Sequence, residues 1–222
     1  MKKNLFLLIP LFVLSCCASP KPVLDGKIAG FTGTVTVNGK PAVVDQQLNG
    51  GAVIETVGDS TCDINFLQKN EIRLLGDTKL VFSDALGNKK VRLDTGAIAN
   101  VFNALARNPK DADPFTVETR ASVVAVRGTV FFVKSLNISN TYICACNGSI
   151  EVTPPGIKEP QPLSSEHHKA ILVTKDGNKS TSNPAELLYH DDKLMQSVAD
   201  QVGYTIPWPS GGESYNENSS YD

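Results

Sequence analysis

The 222-residue sequence lacks several features that would assign it to a class at once. It has only five cysteines, too few for a disulfide scaffold at this length, and an odd number leaves at least one thiol with another fate. It also lacks a strong charge imbalance: 21 basic and 23 acidic residues give a net charge of −2. A chain of this charge does not attract the phosphate backbone of nucleic acid. We therefore expect neither a disulfide-rich scaffold nor a nucleic-acid-binding protein.

Motifs typical of enzymes are also missing. The sequence contains no H-E-x-x-H, no P-loop, no G-x-S-x-G and no glycine-rich dinucleotide fingerprint. A C-x-x-C-H site for haem attachment is absent as well. Hydrophobic residues make up 41% of the chain, charged residues 20%, and the mean hydropathy is −0.10. These values are typical of a soluble globular protein, and we predict one without catalytic activity.

One hydrophobic run stands out, at the N-terminus. Lys2 and Lys3 precede an apolar stretch from Leu5 to Leu14 that only Pro10 interrupts. A short basic start followed by about ten apolar residues is typical of a secretory signal and is too short to span a bilayer as a stable helix. We predict a signal peptide over residues 1–15, and no other segment approaches transmembrane length.

The end of this run resembles the bacterial lipobox, in which a cysteine is diacylated and becomes the mature N-terminus. The matching residues are Val13-Leu14-Ser15-Cys16. The resemblance implies lipidation of Cys16 and attachment to the periplasmic or outer surface of a bacterial membrane, with the outer membrane favoured. The composition of Ala18-Ser19-Pro20-Lys21-Pro22 is typical of a linker, so we predict a lipidated N-terminus and linker over residues 16–27. Two alternatives stay open: Cys17 offers a second register, and a soluble periplasmic protein could be cut at another site.

From Ile28 onward, apolar and polar residues alternate with a period of two, which indicates β-strands. Asn38-Gly39 is the preferred dipeptide of a type I′ hairpin turn. We predict an all-β domain over residues 28–175, an antiparallel β-roll, barrel-like fold or sandwich. The predicted strands are Ala52–Val57, Cys62–Leu67, Glu71–Leu75, Lys79–Phe82, Lys90–Leu93, Ala97–Phe102, Phe115–Thr119, Val123–Val126, Thr129–Lys134, Thr141–Cys146, Ser149–Val152 and Lys169–Thr174.

One helix is predicted after the β domain, over residues 183–203. Asn183 is a suitable N-cap, Pro184 fits the first helical position, and Gly203 is a suitable C′ residue. On this helix, the stretch His190-Asp191-Asp192 would form a solvated face. Residues 204–222, rich in Pro, Gly, Ser and Asn, are predicted to be a disordered tail.

Several stretches of the β region follow one another in a recognisable order: Gly33–Gly39, Leu48–Thr56, Ile64–Phe66, Glu71–Leu74, Leu93–Ile98, Phe115–Thr119 and Ala125–Phe131. In this order they resemble the FecR domain, the periplasmic module of ferric-citrate-type iron regulators. The resemblance spans about residues 30–175 and implies a lipid-anchored binding, sensing or scaffold domain with an envelope protein as its partner. Full regulators of this kind carry an anti-sigma segment and a transmembrane helix before the domain; we expect neither here, and no direct sigma-factor control.

The last stretch contains Arg127-Gly128-Thr129 between two apolar runs. Glycine at this position permits a bend or a positive φ. Arg127 would lay its aliphatic stem on apolar surface and direct its guanidinium group at carbonyls or a carboxylate. We interpret the three residues as a structural motif.

One group of residues could carry metal chemistry. Cys144 and Cys146 are two residues apart on a predicted strand, so both thiols project from one face, while Ile143 and Ala145 face the core. We therefore expect an exposed pair of thiols away from the main core. With His167 and His168 from a neighbouring hairpin, they could bind Zn²⁺, iron or another thiophilic ion. Adjacent histidines in extended backbone point apart, so one of the two would ligate.

Other fates for these residues stay open. Cys144 and Cys146 could form a strained disulfide or act in thiol–disulfide exchange. Cys62, whose alternation with Ile64 and Phe66 indicates a core position, could pair with either of them. The histidines could be exposed turn residues, in which case the chain would bind no metal.

Overall fold

The computed structural model describes residues 26–66, 69–82, 90–103, 114–126 and 128–210. The predicted signal peptide, Cys16, Cys17, Arg127 and the tail from residue 211 lie outside them. Within this part the chain forms fourteen strands and one helix. Their bounds are β1 Gly26–Val37, β2 Lys40–Pro41, β3 Gln47–Leu48, β4 Val53–Phe66, β5 Asn70–Leu74, β6 Lys79–Phe82, β7 Lys90–Phe102, β8 Phe115–Glu118, β9 Val123–Val126, β10 Val130–Ser135, β11 Asn140–Thr153, β12 Gln161–Ser165, β13 Lys169–Asp176, β14 Lys179–Ala185 and α1 Asp192–Asp200.

The prediction of an all-β fold is confirmed, since 61% of the described residues lie in strands and the fold contains a closed five-stranded mixed barrel with further strands. The ring runs β7-β10-β11-β9-β8 and returns to β7. Antiparallel pairing holds throughout this ring except between β7 and β8, which are parallel. Residues 103–114 connect those two strands and are long enough for the crossover of about a dozen residues that parallel pairing needs.

Three predicted pairs of strands are single long strands. β4, β7 and β11 each run through a glycine that lies between two predicted strands. These glycines are Gly58, Gly96 and Gly148, with φ of +61°, +82° and +118°. A glycine with positive φ bends a strand without ending it. The Asn38-Gly39 turn is confirmed, with φ of +53° and +72° and with Val37 paired to Lys40.

The alternation of side chains along these strands produces two apolar clusters. The main core lies inside the barrel and its extension, where Phe102 contacts the rings of Phe66, Phe115 and Phe131 at centroid distances of 4.7–5.2 Å. The second core lies on the opposite face of β7, β10 and β11, beneath α1 and the residues that follow it. Its buried members are Ala97, Ala99, Val101, Val130, Phe132, Tyr142, Cys144, Cys146, Ala170, Met195, Val198, Ala199 and Ile206.

The predicted start of the helix is wrong. Asn183 and Pro184 lie in β14, paired with Leu172 and Ile171 of β13. Proline is tolerated there because β14 is the outermost strand of the sheet path, where a missing N–H breaks no ladder. The helix begins at Asp192, and the N-cap is Asp191, whose carboxylate accepts the N–H of Leu194 at 2.7 Å.

Helix α1 ends at Asp200, three residues before the predicted end, and Gly203 lies in the turn that follows it. Gly203 has φ +63°, its N–H donates to Asp200, and the N–H of Tyr204 donates to Ala199 at 3.0 Å, as expected for a C′ glycine. Residues 204–208 are not a free tail, because Ile206 is buried in the second core and Trp208 packs against it. No helix in the described part of the chain has the length and apolar character needed to span a bilayer.

Candidate metal centre

Strand β11 places both thiols on the second-core face. Cys144 and Cys146 point there together with Tyr142, whereas Ile143 and Ala145 belong to the main core. The predicted facing is therefore confirmed, but the predicted exposure is wrong, since both thiols are fully buried. The reason is tertiary: α1 and the residues around it cover this face of the sheet.

The histidine pair lies in the turn between β12 and β13. His168 has φ +44°, and its N–H donates to the carbonyl of Cys146 at 3.0 Å. Its Nδ1 lies 3.7 Å from Sγ of Cys144. In extended backbone the rings of His167 and His168 would point apart. Because His168 has a left-handed backbone conformation, the two rings lie close together instead, with their centroids 4.9 Å apart. His168 joins the thiols, and His167 does not.

A fourth group, His190, lies at the thiols and was not predicted from the sequence. It is buried, with Nε2 3.3 Å from Sγ of Cys146 and its ring stacked on Phe132 at 4.3 Å. The earlier expectation of a solvated helix face for His190 is wrong because the helix starts two residues later. Asp191, a good N-cap residue directly after His190, was the signal that could have corrected the boundary.

Each of the two histidines near the thiols has its second ring nitrogen held by an acceptor. Nε2 of His168 lies 2.6 Å from the Asp192 carboxylate, and Nδ1 of His190 lies 2.9 Å from the carbonyl of Leu188. These partners assign the protons to Nε2 of His168 and Nδ1 of His190. The lone pairs of the other two nitrogens therefore face the thiols.

The four ligand atoms of Cys144, Cys146, His168 and His190 all lie within 4.8 Å of one another. A tetrahedral Zn²⁺, with sulfur at about 2.3 Å and nitrogen at about 2.0–2.1 Å, holds its ligand atoms about 3.3–3.8 Å apart. Two of the sulfur–nitrogen distances, 3.7 and 3.3 Å, fall in this range. This Cys₂His₂ cluster, defined by these four residues, has the donor set of a closed tetrahedral site.

A second, more exposed group shares His168. Asp192 accepts from His168 and lies 3.0 Å from Nε2 of His167, and the three residues could themselves surround an ion. To bind an ion in this second group through Nε2, His168 would have to lose the proton that it donates to Asp192. Its Nδ1 faces the thiols and belongs to the Cys₂His₂ cluster. The geometry therefore makes Asp192 an orienting partner of the Cys₂His₂ cluster, with His167 as a further donor to it.

The electrostatics of the cluster favour one thiolate. Burial opposes ionisation of Cys144, but its hydrogen bonding with Cys146, His168 and His190, together with the charge of His190, outweighs burial and lowers the pKa of this thiol. Burial, followed by the adjacent Cys144, raises the pKa of Cys146. Burial works against the charged form of His168, yet Cys144 and Asp192 together raise the pKa of its ring. Two adjacent thiolates need a cation between them, which a divalent metal ion supplies.

The third described cysteine plays no part in this cluster. Cys62 lies in the main core, and burial raises the pKa of its thiol to about 12. Cys62, Cys144 and Cys146 are all free thiols, so the disulfide alternatives are wrong.

Gly128 and Thr129, the two described residues of the motif at 127–129, have structural roles. Gly128 has φ +104°, as its predicted bend requires. Thr129 is buried and donates its hydroxyl to the carbonyl of Asn147 at 2.7 Å. That bond ties the start of β10 to the bend of β11, directly beyond the two cysteines.

Comparison with known proteins agrees with the ordered strand motifs. The family model described as FecR protein matches residues 52–151. The chain contains a FecR domain. Cys144 and Cys146 lie within the matched FecR region, whereas His168, His190 and Asp192 lie beyond it.

Solved structures also resemble the chain. Two crystal structures of a candidate anti-sigma factor from Parabacteroides distasonis ATCC 8503 are 16% identical in sequence, each with a TM-score of 0.46. The similar region covers 60% of this chain and 59% of that protein. No curated protein matches the sequence.

Proposed function

We propose that this FecR-domain protein binds one thiophilic divalent metal ion in the Cys₂His₂ cluster, and that Zn²⁺ is the preferred ion. The observation that carries the proposal is the pair of acceptors behind the histidines, Asp192 and the carbonyl of Leu188. Metal-bound histidines nearly always donate their second N–H to such a carboxylate or carbonyl, which sets the tautomer and the ring orientation. His190 replaces His167 in the ligand set predicted from the sequence.

The cluster has the character of a structural site. Four protein ligands leave no open coordination position, whereas catalytic zinc sites keep one for water or substrate. Two thiolates and two neutral imidazoles also balance the charge of a divalent ion. FecR domains are regulatory modules and not enzymes, which agrees with a non-catalytic role for the ion.

Two reactive-thiol alternatives are less well supported. Cys144, His168 and Asp192 stand in the order of a nucleophile, a base and an orienting acid. Thiol–disulfide exchange would likewise use Cys144 or Cys146. Both functions need a thiol that a substrate can reach, and both thiols are fully buried.

We propose that this metal-binding module lies in the cell envelope. The signal-like leader and the lipobox resemblance support export and lipidation of Cys16. Attachment through several acyl chains would be stable where a single chain is marginal. The domain would act there as a non-enzymatic binding, sensing or scaffold module for another envelope protein.

The metal proposal is tested on protein purified without chelator. We expect about one zinc ion per chain by elemental analysis. Cobalt substitution should give the sulfur-to-cobalt charge-transfer and ligand-field bands of a tetrahedral thiolate site. The paired Cys144→Ser/Cys146→Ser variant and the single His190→Gln variant should lose the ion.

Matched controls separate the cluster from its neighbours. Cys62→Ala removes a buried thiol outside the cluster, and His167→Gln removes the adjacent imidazole; both should keep a full equivalent of metal. Asp192→Asn should weaken binding by about 10–100-fold without abolishing it. Equal loss in the His167 and His190 variants, or no metal in the native protein, would refute the proposal.

Lipid attachment is tested separately in cells. Radiolabelled palmitate should label the native chain and a Cys17→Ala variant, but not a Cys16→Ala variant. If the Cys16→Ala variant is still labelled, the predicted lipidation site is wrong.

A further inference from the structure

The cluster joins parts of the chain that are far apart in sequence. Two ligands come from β11, one from the turn after β12, and one from the segment that precedes α1. His190 stands 44 residues after Cys146. We call residues 186–208 the C-terminal clasp. They lie beyond the FecR match, and they cover the second-core face of its sheet.

We propose that the metal ion fastens the C-terminal clasp to the FecR domain, so that metal binding and docking of the clasp are one coupled equilibrium. This proposal rests on the metal site described above. Two contacts support this proposal. His190 of the clasp lies against Cys146 of the sheet, and Asp192 of the clasp accepts a hydrogen bond from His168, the ligand in the turn.

The clasp is too short to hold its own structure. Helix α1 has nine residues, whereas isolated helices shorter than about 12–15 residues are marginal in water. Its stability must therefore come from docking, and its buried side chains Met195, Val198 and Ala199 show the apolar part of that contact. The polar part is concentrated at its N-terminal end, beside the cluster.

That end is where the ion would act. His190 is buried directly before the N-cap, and Asp192 is the first helical residue. Asp192 accepts from His168, so the orientation of a ligand ring is linked to the position of the helix start. Docking brings Nε2 of His190 to 3.3 Å from Sγ of Cys146, so an ion bound between these atoms would be held by the clasp and by the sheet at once, and its binding free energy would add to the free energy of docking.

Other contacts guide the clasp but do not replace the ion. The Tyr142 hydroxyl donates to the carbonyl of Glu186 and accepts the N–H of Leu188, both at 3.0 Å. Arg73 donates to the Ser197 hydroxyl at 2.7 Å. These are single hydrogen bonds, and they define where the clasp docks.

The only tryptophan of the chain reports on the same contact. Trp208 stacks on His168 with a centroid distance of 5.2 Å and lies 5.1 Å from His167. Coordination of His168 and docking of the clasp should both change the surroundings of this indole. Its fluorescence therefore provides a signal that needs no added label.

The experiment compares hydrogen exchange of the native protein after chelator treatment and after reloading with Zn²⁺. With free zinc at 100 times its Kd, linkage allows amide exchange in the clasp to slow by up to about 100-fold. We expect at least a tenfold slowing for amides of residues 194–206. Amides of β4, which lies outside the second core, should change by less than about twofold, and Trp208 fluorescence should follow the same zinc titration.

Each outcome decides between the two proposals. Zinc binding with selective protection of the clasp supports both. Zinc binding with unchanged clasp exchange, or with equal protection of β4, overturns the clasp mechanism and leaves the metal site standing. Failure of the protein to bind zinc overturns both. The comparison uses one native protein in two states, so it does not depend on whether a cysteine variant folds.

Discussion

Glu71 offers a sharp test of the energetics of the second-core side of the sheet, through the substitution Glu71→Gln. Its side chain is fully buried on β5, Oε2 accepts from the Asn65 amide at 3.0 Å, and Oε1 has no hydrogen-bond partner among the described residues. Burial raises the pKa of Glu71 from its ordinary 4.5 to about 7. Asn65 and Arg73 oppose this change, and Asp63 adds to it.

The sign of the effect follows from proton linkage. The folded state holds the Glu71 proton more tightly than the unfolded state, so it binds more protons between pH 4.5 and 7. The free energy of unfolding therefore falls as the pH rises through this window. A pKa difference of about 2.5 corresponds to about 3 kcal/mol. The Glu71→Gln variant cannot ionise and does not lose this stability.

The assay is urea unfolding of both proteins at a series of pH values from 4 to 8. Subtracting the native free energy of unfolding from that of the variant removes contributions that the two proteins share. The variant should gain about 3 kcal/mol relative to the native protein across the window, with equal m-values. A difference that stays constant within about 0.5 kcal/mol would refute the assignment of a buried, protonated carboxyl group.

Two further substitutions test the backbone and the main core. Gly96→Ala would place a Cβ 2.2 Å from Oγ1 of Thr78 at φ +82°, and we expect a loss of about 3 kcal/mol or more in urea unfolding. Gly39→Ala is the matched control, with φ +72° but no atom within 4 Å, and should cost about 1 kcal/mol; equal losses would contradict the steric argument. Phe102→Ala removes a ring that contacts three other phenylalanines and should cost about 3–5 kcal/mol. A loss under about 1 kcal/mol would show that these rings are not tightly packed.

Local patterns predicted most of the strands but not their lengths. Alternation of apolar side chains located β6 and β9 to the residue, because it depends on the facing of neighbouring positions in one strand. It divided β4, β7 and β11 at Gly58, Gly96 and Gly148, since a bend within a strand and a turn after one use the same residue. Strands β12 and β14 were missed because their sequences are polar and carry no such alternation.

The helix start shows a conflict between two local signals. Asn183-Pro184 and Asp191-Asp192 are both plausible helix starts in the sequence. Pairing of β14 with β13 satisfies the backbone of the first pair in a strand, which leaves the second pair to begin the helix. This long-range choice also decided the fate of His190.

The sequence by itself determined that Cys144 and Cys146 share a face opposite to Ile143 and Ala145, because the two-residue period of a strand is a local property. It also determined that this chain has the ordered motifs of a FecR domain. Only the tertiary structure decided that the thiol-bearing face is covered. The covering segment arrives more than forty residues later and brings His190 and Asp192 to the thiols, and no local period encodes such a contact.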